Sequence, residues 1–137
     1  MSDSLKTGDF YGRTERRLEL RGVVLTEVAH AFGRKLPCHT HESAYFGLLL
    51  AGSYSERCSH RSADYDPFTI GFHPPALTHS DEIGRSGSRM FCVGGLVCNS
   101  SGRLDSVRGD SADALGSKLN AISSNIAFGI FQSRICH

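Results

Sequence analysis

The sequence predicts an all-β fold, an antiparallel sandwich or barrel, on three observations. Between Leu18 and Val97, short runs of Val, Ile, Phe, Tyr and Leu are cut by Gly, Pro, Asp and Ser about every ten residues. The breaks include AGS (51–53), YDP (65–67) and HPPA (73–76), all of turn-forming composition. No helical periodicity competes over the same span.

The strands follow in chain order. Leu18–Leu20 and Val23–His30 come first, rich in Leu and Val. Ala44–Leu50 is closed by the AGS break, and Ser53–Cys58 resumes after it. Phe68–Phe72 lies between YDP and HPPA, and Met90–Val97 ends the set. Beyond Asn99 the chain turns polar, with Ser, Gly and Asp, as in a linker or surface loop. Within Ala112–Phe131, the residues Ala114, Leu115, Leu119, Ile122, Ile126 and Ile130 recur at helical spacing. They predict a C-terminal helix that covers a sheet or joins two copies, although glycines and a Ser-Ser pair oppose it. The expected organisation is one barrel over 1–98, with its core at 18–97, followed by linker and helix over 99–137.

Composition excludes several functions. A net charge of +1 gives no general attraction to nucleic acid or anionic lipid. The polar start, MSDSLKTGDFYG, carries no secretory signal, and the longest apolar run, Ala44 to Ala51, falls far short of the roughly 20 residues that span a bilayer. A cytoplasmic location is the expectation. The 5 cysteines (Cys38, Cys58, Cys92, Cys98, Cys136) include no C-x-x-C pair, so neither a disulfide framework nor a thiolate zinc site is indicated. No nucleophile elbow or phosphate-binding glycine loop is present.

Histidines carry the chemistry. Gly33 is followed by five residues, His39, one residue, His41, three residues, Tyr45, six residues and Gly52. Later, Phe68 is followed by five residues, Pro74, one residue, Ala76, two residues and His79. Strand alternation places His39, His41, Ser43, Tyr45, Gly47 and Leu49 on one face, and Ala44, Phe46, Leu48 and Leu50 on the other. Glu42 is then turned away from His41. The proline-locked turn before His79 returns the chain toward the same cavity. Three neutral imidazoles meeting there are sufficient for a metal centre with open positions, of Zn, Fe, Mn or Ni. Asp81 and Glu82 follow His79 closely and can reach its mouth. His73 is expected at a turn or pocket rim, and His30, His60 and His137 at the surface or tail.

These spacings resemble the two-part signature of the cupin superfamily. Its first part is Gly, five residues, His-x-His, three or four residues, Glu, six residues, Gly. The second is Gly, five residues, Pro-x-Gly, two residues, His, three residues, Asn. His39, His41, Gly33, Gly52, Pro74 and His79 are in register with it. Tyr45 stands in the Glu slot, Phe68 and Ala76 in glycine slots and Ile83 in the Asn slot. The resemblance covers about residues 20–97 and implies a double-stranded β-helix, or jelly-roll, barrel. Without its Glu slot, the three-histidine metal site loses its anionic ligand, because a phenol ionises only near pH 10.

Within that superfamily, the stretch from His39 to Ile83 is similar to the N-terminal effector-binding domain of AraC-type transcriptional regulators. The shared features are the His-x-His-Glu opening, an apolar strand, a Y-x-P turn and FHPP followed by HSD. The resemblance implies a non-enzymatic sensor that binds a small-molecule effector, forms a homodimer and requires no cofactor. Its pocket would use His39, His41, Tyr45, Leu49, Tyr54, His73, His79 and Phe91. The helix-turn-helix domain that reads DNA in that family has no counterpart here, so this chain alone is expected to bind no nucleic acid. The alternative is a stand-alone metal-dependent cupin enzyme, of dioxygenase or isomerase type, with metal on His39, His41 and His79. A purely structural interaction module is the third class.

Overall fold

The computed structural model describes residues 2–96, which form eight strands. They are β1 Asp3–Leu5, β2 Arg13–Leu20, β3 Val23–His30, β4 Lys35–His41, β5 Ala44–Cys58, β6 Arg61–Tyr65, β7 Ile70–His73 and β8 His79–Leu96. The expected C-terminal helix, Cys98, Cys136 and His137 lie outside the described residues. Among the described residues no helix is long and apolar enough to cross a membrane.

The all-β prediction holds, with β3 at its predicted bounds. The strands join in one sheet in the order β1-β4-β8-β3-β2, while β5 pairs with β6, β7 and β8. Apart from the parallel pair β1 and β4, these pairings are antiparallel. β8 runs through the centre. Its N-terminal half lies between β4 and β5, and its C-terminal half between β3 and β5. This curls the sheet around an interior packed by Leu36, Leu49, Tyr54, Tyr65 and Ile83, with Tyr11, Ala63 and Met90 against them.

Two predicted strands are one. Ala44–Leu50 and Ser53–Cys58 form the single strand β5 because Gly52 sits in a bulged strand, where a turn was expected. Leu49 and Ala51 oppose the adjacent residues Met90 and Arg89, so Leu50 is an extra residue in the ladder. Gly52 has φ 79°, and a Cβ there would lie 1.9 Å from the Gly87 carbonyl oxygen. Only glycine fits.

β1 and β6 were not foreseen as strands, and the strand face expected to run from His39 to Leu49 is divided between β4, which ends at His41, and β5, which begins at Ala44. β4 carries Pro37, which reads as a strand breaker but lies at the register shift between Leu36 and His39, where no ladder bond is demanded of it. β8 begins at His79, well before the expected Met90, because its polar N-terminal half still pairs on both sides. β2 is longer than predicted and exposed along its whole length, so its sequence RTERRLEL has no apolar run to reveal it.

Gly33 and Gly52 have φ 64° and 79°, and the two residues standing in glycine slots, Phe68 and Ala76, keep φ 68° and 61°. The backbone therefore holds the left-handed conformation at all four glycine positions of the signature, although two have lost their glycine. Each such non-glycine residue costs about 1–2 kcal/mol. Ala76 N–H donates to the His41 carbonyl at 2.9 Å, which ties the proline turn to the end of β4.

Candidate metal centre

β4 and β8 place the three signature histidines. His39 and His79 are direct cross-strand partners, and His41 lies two residues on, on the same face of β4. Ring centroids are 4.2 Å apart for His39 and His79, 5.1 Å for His39 and His41, and 5.5 Å for His41 and His79. All three are buried, and one ligand atom from each lies within 4.8 Å of the others.

Their protonation suits a cation. His39 Nδ1 donates to the Pro37 carbonyl at 2.8 Å, and His79 Nδ1 donates to the Leu77 carbonyl at 3.1 Å. A carbonyl only accepts, so the hydrogen sits on Nδ1 in each ring and the Nε2 lone pair is left free. His41 Nε2 is buried without a hydrogen-bond partner. Burial, and then the neighbouring imidazoles His79, His39 and His73, push His41 down to about 3. Burial, followed by His73, takes His79 down to about 4. His39 is lowered too, chiefly by burial. At neutral pH all three are uncharged, the form that ligates.

Tyr45 is buried, faces His73 across the β5–β7 ladder and stacks on it, with centroids 4.4 Å apart and planes 1° from parallel. Burial first, and Glu56 second, raise its phenol well above the usual value. It contributes a neutral aromatic wall and no anionic oxygen.

A carboxylate enters from elsewhere. Glu56 is 2% exposed, and one of its oxygens, Oε2, is in short contact with His73 Nε2. The other oxygen accepts from the Tyr65 hydroxyl at 3.4 Å and from the Cys58 thiol at 3.7 Å. Glu56, His73 and His79 form a second group whose ligand atoms lie within 4.8 Å of one another. Asp81 is the cross-strand partner of Glu56, and its Oδ2 lies 3.9 Å from His79 Nε2. Burial, and then Glu56, raise Asp81 to about 7.

His39, His41, Tyr45, Glu56 and Asp81 border a small cavity of about 30 Å³, whose lining does not include His73 or His79. Phe10 and Tyr11 from the N-terminal arm, His30, and Leu36, His39 and His41 around β4 line it on one side. Tyr45, Tyr54 and Glu56 of β5 and Asp81, Ile83 and Met90 of β8 complete it. The volume suits about two water molecules, or an ion with a small ligand.

The structure brings His39, His41, Tyr45, His73 and His79 together and puts Tyr54 on the cavity wall. Leu49 packs in the adjoining apolar core. Phe91 sits on the opposite face of β8 from Met90 and Cys92, paired with Leu48 and Glu27, and is not part of the wall. His73, expected at a rim, is 2% exposed, and His30, expected at the surface, is buried with Nδ1 3.2 Å from the Ser88 hydroxyl. Glu42 does turn away, accepting from Thr7 at the surface. Cys38 is exposed, while Cys92 is buried and pushed up to about 12, so neither offers a thiolate to the cavity. Sequence reasoning missed Glu56, Phe10 and Tyr11. The buried set Tyr54, Glu56 and Cys58 does alternate, but in the opposite phase from Tyr45, Gly47 and Leu49. Restarting the count after Gly52 is the signal that would have found Glu56.

No family model matches the chain, and no curated protein does. Solved structures do match. An RmlC-like cupin family protein with a double-stranded β-helix fold from Methanocaldococcus jannaschii is similar at TM-score 0.54 and 15% identity, over 61% of this chain and 78% of that one. The Cnp3 cupin domain of Schizosaccharomyces pombe matches at TM-score 0.53 and 13% identity, and the chain spans 58% of that domain's length with 58% of its own. The DMSP lyase DddQ of Ruegeria pomeroyi matches at TM-score 0.51 and 18% identity, over 67% of this chain and 41% of that one. With its curled antiparallel sheet, its histidines on β4 and β8 and these structural likenesses, the chain has the fold of the cupin superfamily.

Proposed function

We propose that this chain is a metal-binding cupin domain that holds one divalent ion on His39, His41 and His79 and takes a ligand of a few atoms at the ion's open positions. The observation that carries this reading is the set of three buried, uncharged imidazoles, two of them with Nε2 freed by carbonyls at Nδ1 and the third with Nε2 unpartnered. Buried polar atoms without partners are costly, and an ion would satisfy them. A bound Zn, Fe, Mn or Ni ion would supply Lewis acidity. The residues around it would orient and enclose the ligand, with Tyr45 as a neutral wall and Phe10 and Tyr11 covering the histidines. Elemental analysis of protein purified without added metal tests the reading. Stoichiometric metal, held at least about tenfold more weakly in His41→Ala, is expected. Metal-free protein that also binds no added Co²⁺ overturns it, as does unchanged affinity in His41→Ala.

The sensor reading implied by the AraC-type resemblance uses the same cavity, and the size of that cavity favours a particular form of it. An effector of ordinary size needs about 300 Å³ or more, so here the effector is the ion or a ligand of a few atoms bound with it. The homodimer belongs to this reading. Thermal-shift screening tests it: stabilisation by divalent ions and small anions, with none by larger organic molecules, is expected. Sedimentation velocity checks the dimer.

A further inference from the structure

We infer that Glu56, His73 and His79 form a second cation-binding corner, of two histidines and one carboxylate, which supplies the anionic ligand that the Tyr45 slot lacks. The inference deepens the proposed metal-binding reading and rests on it through the shared His79.

Four observations support it. One ligand atom from each of the three residues lies within 4.8 Å of the others, and all three residues are 2% exposed. Without an ion, the carboxylate is met at that depth by the proton shared between Oε2 and His73 Nε2, and a cation in the corner would take that proton's place. His73 Nδ1 is buried with no hydrogen-bond partner, and Tyr45 stacks on its ring and fixes its plane. Finally, Tyr65 and Cys58 both donate to Glu56 Oε1, which anchors the carboxyl group and leaves Oε2 directed at His73. Outer donors of this kind orient a ligating carboxylate. Two imidazoles and a carboxylate with open positions form a donor set used by zinc and by non-haem iron.

The two corners are alternatives for one ion. His79 Nδ1 is committed to the Leu77 carbonyl, so His79 has one nitrogen to give and cannot serve two ions together. The three-histidine corner is neutral, whereas the Glu56 corner offers a negative charge. Breaking the first therefore leaves a working second.

Co²⁺ binding by the full chain, followed by visible absorption and equilibrium dialysis, tests this. His41→Ala is expected to keep one Co²⁺ per chain with affinity at least about tenfold below the parent, and adding Glu56→Gln is expected to lower it a further tenfold or more. Circular dichroism confirms the fold of each variant. Two outcomes overturn the inference while the three-histidine reading stands: loss of all Co²⁺ in His41→Ala, or equal binding by His41→Ala and the double variant. Absence of Co²⁺ from the parent chain overturns both readings. Should the double variant not fold, anomalous scattering from Co²⁺-soaked crystals of His41→Ala decides alone. A peak at bonding distance, about 2.1 Å from a Glu56 oxygen, supports the corner, and a peak elsewhere overturns it.

Discussion

The two halves of β5 face the same cavity in opposite phase. In the first half, odd-numbered Tyr45, Gly47 and Leu49 point inward, while in the second it is even-numbered Tyr54, Glu56 and Cys58. Two irregularities separate them: an extra residue, Leu50, opposite the Met90–Arg89 step of β8, and a further shift in register between Gly52 and Tyr54. A strand that alternated without a break through this stretch would turn Glu56 to solvent and bring Ser55 and Arg57 inside. The bulged stretch thus decides which half of the strand contributes an aromatic wall and which a carboxylate, and it does so without changing a residue at either site.

The comparison can be broken most severely at the point where both halves meet. His79 faces the three-histidine corner and the Glu56 corner alike, so His79→Ala is expected to lower Co²⁺ affinity on the order of 1,000-fold, well beyond the loss in His41→Ala. Dialysis of the two variants side by side checks it, and equal losses would mean that only the first corner matters.

The bulge itself comes next. Gly52→Ala forces a Cβ against the Gly87 carbonyl at a positive φ, and about 3 kcal/mol of stability should be lost, read as a lower urea midpoint. A loss below 1 kcal/mol would show that the second half of β5 tolerates a shifted ladder.

Acid sharpens the contrast between the halves. His41 and His79 have folded values of about 3 and 4, below the ordinary 6.5, so their stabilising effect is complete above pH 6.5 and is lost as pH falls through the window to those values. Asp81, opposite Glu56, is raised to about 7 from 3.8, so its effect is complete below pH 3.8 and is lost as pH rises toward 7. His30 and His39 are lowered by burial as well, so the histidine protons taken up on unfolding outnumber the one held by Asp81, and metal-free protein is expected to gain stability as pH rises between roughly pH 4 and 6.5. Urea titrations across that window check the slope. Asp81→Asn removes the opposing proton and should steepen it.

The smallest effect is a gain. Ala76 holds φ 61° and donates to the His41 carbonyl, so Ala76→Gly relieves backbone strain while keeping that bond. A rise of about 1 kcal/mol in unfolding free energy is expected. A fall would mean that the methyl group's packing outweighs the strain.

The barrel was legible in the sequence because its punctuation is local. Gly33, Gly52, Pro74 and the His-x-His pair hold fixed spacings, and their backbone geometry survives even where Phe68 and Ala76 have replaced glycine. The three histidines were legible for the same reason, since β4 alternates regularly from His39 to His41. Glu56 was not, because alternation carries a prediction only as far as the first extra residue. His73 looked like a rim residue because Pro74 follows it, yet it is the last residue of β7 and faces inward opposite Tyr45. β1, and the start of β4 before His39, were missed because pairing partners distant in sequence, and no apolar pattern of their own, make them strands.

The acceptors that hold His39 and His79 are main-chain carbonyls, each two residues upstream of its ring. A change of side chain at position 37 or 77 leaves a carbonyl in place, so the aim of both rings is insulated from substitution drift at those positions. The rings are also set before any ion arrives. Capture then needs no ring rotation.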